Sequence, residues 1–115
     1  MTDERKEAIE YCEYIRKELR EYYGGDREDE DGEPAGLWDY INKNALDVEY
    51  ILDSSFNLIG VKVFVTLNGP TCWIDTREQV VNYSYGGDGK GFCYIDSDIA
   101  EEINSMYEDM IPVMR

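Results

Sequence analysis

The stretch from Leu46 to Ile95 constrains the fold most, because it is the part of the chain that carries one strand pattern after another. Its first segment alternates residue by residue, with apolar side chains on one face and acids on the other. The apolar face holds Leu46, Val48, Tyr50 and Leu52, and the acidic face holds Asp47, Glu49 and Asp53, with Ile51 as the exception. A period of two indicates a strand with one buried face. Residues 59–67 are rich in β-branched side chains, and we expect them to form the central strand.

Short turns separate the predicted strands. Residues 54–57 form the first turn, and Asn68-Gly69-Pro70 forms the second, because Asn and Gly tolerate positive φ. Three further strands are predicted, the last of them after the glycine-rich residues 86–91: Thr71–Asp75, Val80–Tyr85 and Phe92–Ile95. Every connection is too short for a helical crossover, so the pattern predicts an antiparallel meander of four to five strands.

Three amphipathic segments predict helices that cover this sheet. The first spans Asp3 to Tyr23, and its apolar stripe consists of Ala8, Cys12, Ile15, Leu19 and Tyr22. A short helix from Leu37 to Asn44 follows, with Leu37, Trp38 and Ile41 apolar and Trp38 expected as a core anchor. The last helix runs from Ile99 to about Ile111, capped by Asp96 or Ser97 and stopped by Pro112. Its predicted buried stripe is Ile99, Ile103, Met106 and Met110. The sequence therefore predicts a single α+β domain over residues 1–115.

The formal charge of −15, from 26 acids and 11 bases without histidine, excludes several function classes. Nucleic acid and anionic membranes repel such a surface, because phosphate binding needs clustered Lys and Arg. Basic protein surfaces attract it. The cysteines Cys12, Cys72 and Cys93 are widely spaced and odd in number, which favours reduced thiols in a cytosolic protein. We expect a cytoplasmic protein, since the N-terminus is charged from Asp3 and no apolar run spans a bilayer.

The most acidic segment lies between the first two helices. Residues 26–33 hold six acids among eight residues, namely Asp26, Glu28, Asp29, Glu30, Asp31 and Glu33. Mutual repulsion predicts a flexible acidic loop at about residues 25–35. With Gly32 at the turn position of a calcium loop, Arg27 and Trp38 occupy ligand positions, so that pattern fails. The segment is either a solvated loop or an acidic contact surface.

No pattern in the chain indicates catalysis. The absence of histidine excludes a His-dependent triad, and residues 86–91 lack the Ser or Thr of a phosphate-binding loop. Four aspartates are candidates to gather around a magnesium ion: Asp75, Asp88, Asp96 and Asp98. Carboxylates at turns and helix caps, however, commonly serve local hydrogen bonding. We expect a protein that is not an enzyme and that uses no cofactor and no metal.

The acids recur with regular spacing on two predicted elements. On the first strand, successive outward acids stand about 7 Å apart. On the last helix they return every three or four residues, at Asp98, Glu101, Glu102, Glu108 and Asp109. Such rows are similar in spacing to the phosphates of a nucleic acid, and ten tyrosines supply rigid contact area. We predict that the acids of residues 26–33 and those of the last helix form the partner-binding surface. Asp47, Glu49 and Asp53 are second-rank candidates for the same role.

In size, charge, tyrosine content and α+β make-up, the chain resembles the small acidic inhibitors of phages and mobile elements. These include anti-CRISPR and anti-restriction proteins, several of which mimic DNA. The segments 68–76 (NGPTCWIDT) and 83–88 (YSYGGD) also resemble a hairpin of small mobile-element proteins. The resemblance implies a non-catalytic inhibitor that binds the basic nucleic-acid-binding surface of a CRISPR effector nuclease in a bacterial cytoplasm. The alternatives are a structural or adaptor module, either alone or as a homodimer paired through a sheet edge, and a carboxylate-metal enzyme.

Overall fold

Five consecutive strands form one antiparallel sheet, and three helices pack against one of its faces. The computed structural model describes residues 2–87 and 89–110 of the chain. The helices are α1 (Asp3–Tyr23), α2 (Leu37–Asn44) and α3 (Ser97–Glu108). A short strand pair, β1 (Arg27–Glu28) and β2 (Pro34–Ala35), precedes α2. The main sheet consists of β3 (Asp47–Leu52), β4 (Leu58–Thr66), β5 (Thr71–Asp75), β6 (Val80–Tyr85) and β7 (Gly89–Tyr94). The α+β fold and its three helices are therefore as predicted.

The main sheet is a meander in the order β3-β4-β5-β6-β7, with every neighbouring pair antiparallel. The prediction that residues 59–67 form the central strand was wrong, because β5 occupies the middle position and β4 lies second. The β-branched density of β4 reflects burial instead, since Val61 and Val63 are fully buried. The turn before β5 is as expected, with positive φ at both Asn68 and Gly69.

Helix α1 covers β6 and β7 through the five apolar residues predicted for its stripe. Thr2 caps it, accepting a hydrogen bond from the backbone N–H of Arg5 at 3.2 Å. The last strand begins at Gly89 rather than at the predicted Phe92. Gly91 explains this difference, because a Cβ there would lie only 3.0 Å from the Cβ of Ala8. The missing side chain at Gly91 lets the helix lie directly on the strand, whereas Gly86 and Gly87 form the turn before it.

The buried faces of α2 and α3 differ from the predicted ones at three aromatic positions. Tyr40 is buried in α2, whereas Trp38 remains 40% exposed, so the prediction of Trp38 as a core anchor was wrong. In α3 the buried residues are Ile99, Ala100, Ile103 and Tyr107, while Met110 is exposed and Met106 half-buried. Helix α3 begins at Ser97, with Asp96 at the N-cap position, and ends at Glu108. The predicted end at Ile111 and Pro112 lies outside the described residues.

The molecule is flat, with extents of 44 × 42 × 24 Å, because the helices lie on one side of the sheet. Cross-strand pairing places a row of five side chains on the opposite side: Asp47, Phe64, Trp73, Asn82 and Phe92. We call this side the open sheet face. The three cysteines are free thiols and all are buried. Within the residues that the structure describes, no helix combines the length and the apolarity that crossing a membrane requires.

Candidate interaction surface

The acidic segment forms a β-hairpin, where a loop without secondary structure was predicted. Strands β1 and β2 pair antiparallel, and Ala35 is buried in the core. Asp29 organises the turn, because its Oδ1 accepts hydrogen bonds at 2.9 Å from the backbone N–H groups of both Asp31 and Glu33. Gly32 supplies the positive φ, at 79°. The repulsion between neighbouring acids is thus offset by local hydrogen bonds and by one apolar anchor.

Arg27 attaches this hairpin to helix α1. Its Nε donates to Glu21 at 2.7 Å, and its NH2 group lies 3.7 Å from Glu18. The guanidinium also stands over the ring of Tyr22, 5.4 Å from the ring centroid. These contacts raise the pKa of Arg27, chiefly through the hydrogen bond with Glu21. The single base of the segment therefore neutralises acids of α1 and leaves those of the hairpin outside its ion pairs.

The hairpin and α2 enclose a groove with acidic walls. The groove is lined by Tyr22, Glu28, Asp29, Glu30, Ala35, Asp39, Asn42 and Lys43. Asp39 is committed to capping α2, because its Oδ2 accepts a hydrogen bond from the backbone N–H of Gly36 at 2.7 Å. Among residues 2–87 and 89–110, the carboxylates of Glu28 and Glu30 enter no ion pair. An apolar floor with carboxylates above it suits the stem and the charged end of an incoming Lys or Arg.

Helix α3 presents the second acidic surface. Its five predicted contact acids are all exposed, on the side opposite the buried residues: Asp98, Glu101, Glu102, Glu108 and Asp109. None of them takes part in an ion pair within the described part of the chain. Glu101 and Glu108 line a groove that Arg77 also lines, beside the β5–β6 turn. The helix layer thus carries two groups of carboxylates, and α2 contacts the elements that bear both of them.

The C-terminal end of α3 carries charge of the unfavourable sign. A helix C-terminus has a partial negative charge, yet Glu108 and Asp109 lie there and the last described turn contains no base. Elsewhere the chain does pair helix ends with opposite charges. Arg20, in the last turn of α1, donates two hydrogen bonds to Asp96 at 2.9 and 3.0 Å, which lowers the pKa of that carboxyl. Within the described residues, no cation therefore compensates the charge at the end of α3.

The second-rank acids of β3 do not join this surface. Asp47 and Glu49 point to the open sheet face, opposite Phe64 and Lys62 in the register. Asp53 was expected in the same row, but β3 ends at Leu52. The carboxylate of Asp53 instead accepts hydrogen bonds from backbone N–H groups of the following turn, at 2.8 and 2.9 Å. The predicted row of three acids is therefore reduced to two.

An aromatic cluster that the sequence did not reveal lies beside α3. The ring of Tyr107 meets Trp38 and Tyr50 edge-to-face, at centroid distances of 6.4 and 6.0 Å. Tyr107 is buried, which raises its pKa, whereas Trp38 and Tyr50 are 40% and 38% exposed. The helical spacing of Met106 and Met110 favoured a different stripe, so no local signal pointed to Tyr107. Exposed Trp and Tyr on a rigid base are frequent anchors of protein interfaces.

No metal centre accompanies this surface within the described residues. In the described ranges, no group of three or more Cys, Asp or Glu side chains is placed to hold a metal ion. Of the four aspartates considered for magnesium, Asp75 accepts the backbone N–H of Glu78 and Asp96 binds Arg20. Asp98 is exposed in the first turn of α3, and Asp88 lies outside the described residues. Comparisons with known protein families, with curated proteins and with solved structures found no match.

Proposed function

We propose that this protein is a non-catalytic inhibitor that binds a basic protein surface through its acidic helix layer. The observation that carries the proposal is the set of exposed carboxylates on α3 and the hairpin, which the intramolecular ion pairs leave to solvent. The ion pairs of the described residues use Glu13, Glu18, Glu21 and Asp96 instead. The unpaired acids cost self-repulsion in a 115-residue chain of charge −15, and a basic partner would relieve that cost.

The target that suits these carboxylates best is a nucleic-acid-binding channel, and we assign it to a CRISPR effector nuclease. Such a channel is lined with Lys and Arg to hold phosphates. Glu101, Glu102 and Glu108 lie on a rigid helix and can take phosphate positions without first being ordered. The exposed rings of Trp38 and Tyr50 beside α3 supply apolar contact area, which charge alone lacks. Inhibition then follows from occupying the channel before the nucleic acid enters it.

The decisive experiment compares two variants of equal net charge. The first neutralises α3 by the substitutions Glu101→Gln, Glu102→Gln, Glu108→Gln and Asp109→Asn. The second neutralises the exposed outer side of α1 by Glu4→Gln, Glu7→Gln, Glu10→Gln and Glu13→Gln. Each lacks four carboxylates, so the net charge changes from −15 to −11 in both. Long-range attraction is then matched, and the two variants differ in the position of the charge.

DNA cleavage by a purified effector with its guide RNA gives the readout, together with calorimetric binding at several salt concentrations. We expect the α3 variant to lose about 2 kcal/mol of binding, or about 30-fold, at roughly 0.5 kcal/mol for each surface charge pair. The α1 variant should inhibit like the wild type, and salt should weaken binding for both. Equal potency of the α3 variant and the wild type, or equal losses in both variants, would refute carboxylate mimicry at α3.

A further inference from the structure

The open sheet face differs in charge from the rest of the molecule. Its strand residues include three acids, Asp47, Glu49 and Asp75, and two bases, Lys62 and Lys90, for a formal charge of −1. The chain as a whole carries −15, so the excess acid resides on the helix layer, the hairpin and the turns. The carboxylate of Asp75 is also buried, at 5% exposure. This face is therefore close to neutral, whereas α3 and the hairpin carry most of the excess acid.

The same face is rich in aromatic residues, and no element of the described chain covers it. Phe92 and Tyr94 are 47% and 67% exposed, and their rings meet edge-to-face at 5.5 Å. Phe64 and Trp73 are half-buried neighbours on β4 and β5, with ring centroids 5.8 Å apart. A sheet with one face packed by helices and apolar rings on the other resembles one half of a β-sandwich. Contiguous exposed apolar surface of this kind marks an interaction site in soluble proteins.

We infer that the occupant of this face is a second copy of the same chain, packed sheet against sheet. A two-fold axis parallel to the strands places β3 of each copy over β7 of the other copy. Asp47 at the β3 edge then lies over Phe92 at the β7 edge of the other copy, about 7 Å along the strand from Lys90, and Arg5 lines the same groove as Lys90 and Phe92. The charges at the two edges are thus complementary under this symmetry, and the aromatic centre packs on itself.

Electrostatic repulsion favours this arrangement over any other for two chains of charge −15. The molecule is 24 Å thick, and stacking two open faces places the acidic helix layers on the two outer surfaces. Those layers are then separated by more than two Debye lengths, each about 8 Å at physiological ionic strength. Contact through α1, α3 or the hairpin would instead bring unpaired carboxylates together. The dimer also presents two acidic surfaces in opposite directions.

The area of the face indicates a weak dimer. Five strands at about 4.8 Å spacing and about 18 Å in length cover roughly 430 Å² in projection, before side-chain relief. Stable interfaces bury about 800 Å² of accessible surface per partner, and transient ones less than about 600 Å². We therefore expect a dissociation constant on the order of 10–100 μM.

Sedimentation equilibrium of the full chain tests the inference at two salt concentrations. At about 0.01 M salt the Debye length is about 30 Å and the two acidic helix layers still repel each other, so association should tighten when the salt is raised to about 1 M. Binding to a basic partner weakens under the same change, so failure of the dimer and failure of the proposed function are distinguishable. A chain that remains monomeric to about 500 μM at high salt overturns the inference, since the expected constant lies well below that value.

Two sets of variants locate the interface. Phe92→Asp should weaken dimerisation by about tenfold or more, because it places a carboxylate opposite Asp47 of the other copy. The matched control is Tyr23→Asp, at a similarly exposed aromatic residue of α1, which should leave the constant unchanged. Lys90→Asp should weaken the dimer, and adding Asp47→Lys should restore it by exchanging the charges. Sheet-to-sheet packing is contradicted if Phe92→Asp leaves the dissociation constant unchanged. It is also contradicted if adding Asp47→Lys to Lys90→Asp fails to restore dimerisation.

Discussion

The charge at the end of α3 predicts that removing an acid there stabilises the protein. Asp109 occupies the C-cap position in helical geometry, with φ −72° and ψ −14°, beside carbonyl groups that the helix leaves unbonded. Asp98 lies in the first turn of the same helix, where the partial charge is positive. Both side chains are exposed. The substitutions Asp109→Lys and Asp98→Lys therefore make the same chemical change at opposite ends of one helix.

The expected effects have opposite signs. The interaction of a side-chain charge with either helix end contributes about 0.5–1 kcal/mol. Asp109→Lys should therefore raise the free energy of unfolding by that amount, and Asp98→Lys should lower it. Both substitutions reduce the net charge equally, and any general relief of repulsion cancels in the comparison. The difference between the variants is then about 1–2 kcal/mol, or about 1 M in the urea midpoint for an m-value near 1.5 kcal/mol/M.

Urea denaturation followed by tryptophan fluorescence measures both midpoints, at low and at high salt. The difference should shrink as salt screens the helix-end charges. If both variants move the midpoint by the same amount in the same direction, net charge and not the helix end governs stability. The argument that no cation of the described residues compensates the C-terminus of α3 would then be wrong.

Three further predictions concern other parts of the fold. Gly91→Ala should lower stability by about 1–3 kcal/mol, because its Cβ would press on Ala8 of α1, whereas Gly87→Ala, with no atom near the added Cβ, should not. Burial raises the pKa of Cys93 to about 11, so its alkylation should keep rising about tenfold per pH unit through pH 9 to 10. A plateau near pH 9 would contradict that environment. Arg27→Gln should speed hydrogen exchange at the hairpin amides, and an unchanged rate would show that its ion pairs do not hold the hairpin.

Much of the fold could be predicted because its signals are local. The bounds of α1, α2, β5 and β6 agree with the sequence-based ones to the residue. In each case the hydrophobic period and the turn residues lie within a few positions of the element itself. The main error in bounds was at β7, where glycines suggested a loop. Gly91 contacts Ala8 and Ile9 of α1, more than 80 positions earlier in the chain, and no local pattern shows such a contact.

The candidate surface could be predicted less well, since exposure depends on neighbours that are distant in sequence. The acids of α3 and the hairpin were identified, and their exposure agrees with the prediction. Trp38 was expected in the core, yet Tyr40 takes that place because α2 turns that side towards Tyr22 of α1. Asp53 was expected in a row with Asp47 and belongs to a turn instead.

The amino-acid order by itself determined that this chain forms three helices and a five-stranded meander, and that its surface is strongly acidic. Those properties follow from period, turn chemistry and the count of charges, all of which are local or additive. The tertiary structure decided which side of the sheet the helices cover, and hence that the carboxylates gather on one layer while a near-neutral aromatic face is left on the other. That division depends on packing between elements far apart in the chain, which no stretch of sequence contains.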